Sequence, residues 1–64
     1  MNTFYCVTSS FYDNGRVTAA ITATKQAARR PESEFHSTSR ADIYIDWYDT
    51  QQAAEQAIQD ARNA

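Results

Sequence analysis

Asn14-Gly15 sits between two runs of strand-forming residues, and this dipeptide constrains the fold more than any other feature. Both central positions of a type I′ turn need positive φ, which Asn and Gly adopt at least cost, so the pair predicts a two-residue β-hairpin. Such a loop sets the register: Asp13 opposite Arg16, Tyr12 opposite Val17, Ser10 opposite Ala19, Thr8 opposite Ile21 and Cys6 opposite Ala23. Asp13 and Arg16 then form a cross-strand ion pair beside the turn. One face of this hairpin collects Phe4, Cys6, Thr8, Ser10, Tyr12, Val17, Ala19, Ile21 and Ala23; the other collects Tyr5, Val7, Ser9, Phe11, Thr18, Ala20, Thr22 and Thr24. The first set is the greasier and is read as the core face.

A third strand is written in Asp42-Ile43-Tyr44-Ile45-Asp46-Trp47-Tyr48-Asp49. With a period of two, Ile43, Ile45 and Trp47 share one face, and Asp42, Tyr44, Asp46 and Tyr48 share the other. The first face is read as core, Trp47 included. A solvated face needs charge but not rings, whereas a surface that grips a partner uses Tyr for contact area with a polar tip. Hence the second face is read as a partner-binding surface.

Residues 25–40 are read as a connecting loop, broken by Pro31, which pushes Arg30 toward extended backbone, with Phe35 as its apolar anchor. Its length for a compact domain leaves open that strand two runs on through the arginines or that strand three begins before Arg40. After the third strand, Asp49 with Gln52 three residues on predicts a capped helix start. Ala53, Ala54, Ala57, Ile58 and Ala61 then form one apolar stripe. The order is β-β-β-α. It predicts an α+β fold in a single domain over 1–64, a three-stranded antiparallel sheet with one C-terminal helix packed on one face. The helix is expected to lie on the face of Ile43, Ile45 and Trp47.

Sixty-four residues leave no room for a second domain, and a chain this short buries only ~60% of its unfolded surface. No covalent or metal staple is available: Cys6 is the sole cysteine, and Cys6 with His36 is too few ligands for a structural zinc. The single thiol and the lack of a signal peptide fit a reducing cytoplasm, and no apolar run approaches the ~20 residues of a membrane span. Catalytic chemistry finds no footing. His36 has no orienting partner, and Gly15, the one glycine, already serves a turn rather than a phosphate loop. Asp42 and Asp46 lie about 13 Å apart along a strand, too far to share a proton. No enzyme activity, cofactor or metal is expected.

Charge is unevenly spread. Residues 1–31 set Asp13 against Arg16, Lys25, Arg29 and Arg30, while Glu32, Glu34, Asp42, Asp46, Asp49, Glu55 and Asp60 outnumber Arg40 and Arg62 in the remainder. The acidic half holds the strand with the tyrosine face, which favours a basic partner. Arg29-Arg30 alone is no phosphate-binding stripe.

The element order, with DWYDTQQAAEQAI carrying a strand into a capped helix, resembles the arm-type DNA-binding domains of phage integrases. Those domains read the major groove with Arg and Lys on an open three-stranded sheet, where this chain has Asp42 and Asp46, which repel phosphate. In size and acidic character the chain also resembles phage-encoded inhibitors of host defence, including anti-CRISPR proteins. That resemblance implies a cytoplasmic, monomeric inhibitor that blocks a basic nucleic-acid-binding surface of a host protein by partial DNA mimicry. Asp42, Asp46, Glu32 and Glu34 would supply charge, and Tyr44, Tyr48, Tyr5 and Phe11 contact area. The alternatives are a nucleic-acid binder using Arg16, Lys25, Arg29 and Arg30, and a structural homodimer that buries the tyrosine face.

Overall fold

The computed structural model describes residues 1–63. The chain runs β1 (Asn2–Tyr12), β2 (Val17–Ala27), β3 (Glu34–Ser37), β4 (Ala41–Tyr48) and α1 (Gln51–Arg62). The strands form one antiparallel sheet in the order β2-β1-β4-β3. The fold is thus α+β with a C-terminal helix, but the sheet has four strands and not the expected three. The additional strand, Glu-Phe-His-Ser, lies inside the stretch read as a loop. All four residues are exposed, so this short edge strand has no apolar alternation to announce it. Its hairpin to β4 is closed by Thr38, whose N–H donates to the Ala41 carbonyl at 2.8 Å. The Thr38 hydroxyl oxygen in turn accepts from the Ala41 N–H at 3.1 Å. Lys25 to Ala27 belong to β2, which leaves residues 28–33 as the crossover between the two hairpins.

The first hairpin turns differently from expectation. Gly15 N–H donates to the Tyr12 carbonyl at 3.0 Å, and Tyr12 N–H to the Arg16 carbonyl at 2.8 Å. Only Gly15 has positive φ, at 87°, so Asn14 is not in the left-handed region that a type I′ turn requires of it. The loop is therefore three residues, a type I turn followed by a left-handed glycine. Asn14 contributes through its side chain, whose Oδ1 accepts from Arg16 N–H at 3.0 Å. The anticipated Asp13–Arg16 ion pair does not form. Asp13 instead donates its backbone N–H to the Arg40 carbonyl at 2.9 Å, tying the two hairpin turns together.

The extra loop residue slips the register by one. Phe11 faces Val17, Ser9 faces Ala19 and Val7 faces Ile21, until a bulge at Cys6/Val7 restores the expected Cys6–Ala23 pair. A one-residue slip moves side chains to the opposite face. Val17, Ala19 and Ile21 thereby join Tyr5, Val7 and Phe11, and this combined set becomes the stickier face of the first hairpin.

Helix α1 packs there. Val7 is 2% exposed, Ala19 4% and Ala54 0%, while Ala20, Thr22 and Ala23 on the other side of β2 are exposed. Ala57 lines one depression with Ser9, Tyr44 and Tyr48, which confirms the side on which the helix lies. The expected packing of α1 on Ile43, Ile45 and Trp47 is thus overturned. These three share the opposite face with Cys6, Thr8 and Ser10 and remain half-buried. An alanine stripe serves close approach to small residues such as Ala19. At the helix start, Thr50 rather than Asp49 is the cap, its Oγ1 accepting from Ala53 N–H at 3.0 Å. Asp49 lies in the bend that carries the chain off the sheet. No described helix is long and apolar enough to cross a membrane.

Candidate partner-binding groove

Because α1 lies mainly over β1 and β2, the β4–β3 half of that same face stays uncovered beside it. The result is an open groove of about 470 Å³, with Ser9, Phe11, Asp42, Tyr44, Asp46 and Tyr48 around it and Ala57 of α1 as one wall. The alternation in β4 delivers the Asp and Tyr side chains to this side. Register brings the rest: Tyr44 lies opposite Ser9 on β1 and Phe35 on β3, and Asp42 lies opposite Phe11.

The rings form a row across three strands. Phe11 and Tyr44 meet edge to face, with centroids 5.6 Å apart and planes at 83°. Phe35 and Tyr44 meet at 4.9 Å with planes tilted by 48°. Such pairs are worth ~0.5–1.5 kcal/mol beyond their burial, a bias toward this arrangement of the rings. Tyr44 remains 41% exposed and Phe35 54%, so the row presents ring surface outward.

The charges are placed along β4. Asp42 accepts a hydrogen bond from the Ser37 hydroxyl at 3.0 Å. Asp46 is half-buried. Burial raises the Tyr48 pKa above its ordinary value, and the negative charges of Asp46 and Asp60 raise it further against a weaker pull from Arg30. The phenol therefore stays protonated and available as a donor.

Of the residues singled out from sequence, Asp42, Tyr44, Asp46, Tyr48 and Phe11 converge in this groove. Tyr5 pairs with Tyr48 on the same face but lines a separate depression with Phe4, Arg30 and Asp49. Glu34 is in register with Ile45, which turns it to the opposite face, where it lies 3.6 Å from His36. Glu32 is exposed in the crossover. Neither glutamate lines the groove. Ser9 and Ala57 were not anticipated as members, and Phe35, which flanks the groove, was legible as an apolar residue but not as the partner of Tyr44.

A further depression at β2 is lined by Thr8, Ser10, Thr18, Ala20 and Thr22 of the opposite face together with Val17, Ala19 and Arg62, and it holds no carboxylate. Cys6 is buried, and its Sγ accepts from the Thr22 hydroxyl at 3.7 Å. Among the described residues no group of three or more His, Cys, Asp or Glu side chains is arranged to hold a metal ion. Comparison of the chain with protein-family models, with curated proteins and with solved structures finds no match.

Proposed function

We propose that this chain is a non-enzymatic binding protein whose groove docks on a basic surface of a protein partner. A nucleic-acid-binding surface of a host protein is the target class, and occlusion of that surface, in the manner of an anti-CRISPR inhibitor, is the activity. One observation carries the reading: Phe11, Tyr44, Tyr48, Asp42 and Asp46 line a single groove that the helix leaves open. Exposed rings supply desolvated contact, where binding hot spots lie, and carboxylates set the sign of the partner and its rate of approach. Protein interfaces of stable complexes also extend beyond one groove, so the neighbouring exposed Phe35 belongs to the contact.

The test is competition. A basic nucleic-acid-binding protein captured from host lysate on the immobilised chain is assayed for nucleic-acid binding with and without added chain. Wild-type protein is expected to displace the nucleic acid, and Asp42→Lys/Asp46→Lys to lose that effect while remaining folded. Capture without displacement, or displacement unchanged by the double reversal, refutes the reading.

A further inference from the structure

Asp42 and Asp46 stand on the same side of β4 with Tyr44 midway, about 13 Å apart at ~3.3 Å per residue. No cation pairs with either carboxylate among the described residues. Among the described residues Asp46 has neither an ion-pair partner nor a side-chain hydrogen bond, and the side-chain bond to Asp42 comes from Ser37, a neutral donor. Two cations at matching spacing would complete the site.

The shape of the groove narrows the choice of what carries those cations. From β1 across β4 to β3 is two strand spacings, about 10 Å, with α1 on one side and the exposed Phe35 ridge of β3 on the other. A helix with its side chains is ~10–12 Å across and would have to displace that ridge. An extended chain fits. It cannot join the sheet at this point, because β4 is already paired with β1 on one edge and β3 on the other. It must lie across the side chains. In an extended segment, residues i, i+2 and i+4 point the same way, and i to i+4 spans the same ~13 Å as Asp42 to Asp46.

We infer that the groove takes an extended basic segment with cationic side chains at i and i+4, meeting Asp42 and Asp46, and an apolar residue at i+2 over Tyr44. This rests on the reading of the groove as the partner surface. Arginine suits the end positions better than lysine, since its planar guanidinium can pair with a carboxylate while stacking on a neighbouring ring.

Labelled peptides with identical composition test the spacing. In one, two arginines are four residues apart around a central valine; in the others they are adjacent or three apart. Binding is read by fluorescence anisotropy, and the site by nuclear magnetic resonance shifts of Phe11, Tyr44 and Ala57. The four-spaced peptide is expected to bind about tenfold more tightly than either control, the worth of one charge-assisted contact. Asp42→Asn and Asp46→Asn should each abolish that preference, with circular dichroism showing an unchanged fold. Equal affinity for every spacing overturns the inference and leaves the groove as a general basic-surface binder. If neither these peptides nor polyarginine shifts the groove resonances, both the inference and the reading beneath it fall.

Discussion

Val7 lies directly across from Ile21, and this pairing decides where the helix goes. Had Thr8 faced Ile21, the apolar residues of β2 would have joined Cys6 and Trp47. As it is, they join Val7, and α1 follows them to the side that also bears the tyrosines. The groove exists because the helix covers only part of that side.

Neighbouring residues on β2 therefore have opposite tolerances. Ala19→Glu puts an unpaired charge beneath the helix and is expected to abolish folding. Ala20→Glu points to the uncovered face and should change stability within about 0.5 kcal/mol. Urea denaturation of the two variants decides the face assignment; the reverse order of stabilities would overturn it.

The turn makes its own prediction. A Cβ added at Gly15 meets nothing within 4 Å, so Gly15→Ala carries no clash, only the cost of a left-handed alanine. That cost is about 1–2 kcal/mol. Asn14→Ala should cost less, because Asn14 is not left-handed and loses only the hydrogen bond to Arg16. A larger loss at Asn14 than at Gly15 in thermal melts would point back to a type I′ turn.

At the helix start, Thr50→Ala removes the acceptor for Ala53 N–H and should destabilise the domain by ~1 kcal/mol. Asp49→Ala should have a smaller effect. Chemical denaturation of the two variants side by side measures the difference.

Tyr48 links stability to alkaline pH. Its folded pKa lies above the ordinary tyrosine value, so between the two the native state holds a proton that the unfolded chain has lost. Its contribution is thus fully present below the unfolded pKa of about 10 and is lost as pH rises through the folded one. Tyr48→Phe should flatten the fall in melting temperature in that alkaline window and remove the latest tyrosinate transition from an ultraviolet titration. An unchanged titration curve would show that Tyr48 is not the raised group.

Free nucleic acid should bind weakly or not at all, since carboxylates line the groove and repel phosphate. Fluorescence anisotropy with DNA and RNA at moderate salt is the measurement. Sub-micromolar affinity that drops steeply with salt would favour the alternative in which Arg16, Lys25, Arg29 and Arg30 make the contact.

Much of this was legible in the residues, for identifiable reasons. The alternation of β4 is strong because every second residue changes character, and it showed which of its side chains share the groove side. The helix was legible from its alanine spacing, to within a residue at the cap. The hairpin was legible, but Asn-Gly serves both a two-residue turn and a type I turn with a left-handed glycine. The difference of one residue reverses the faces of half of β2. Strand β3 was hidden because its exposed residues need no pattern, and its pairing with β4 supplies the backbone bonds that define it. Glu32 and Glu34 were grouped with the site on charge alone, and charge says nothing of direction.

The sheet order β2-β1-β4-β3 has a kinetic consequence. Each outer strand pairs with the strand beside it in sequence, so both hairpins close across short loops. The central seam is different: it joins Tyr5 to Tyr48 and Tyr12 to Ala41, residues far apart along the chain. Loop-closure entropy must be met there before any of the seam's bonds are gained. The seam therefore carries the sheet's most distant pairings in sequence, and the groove, whose residues come from both sides of it, depends on that closure.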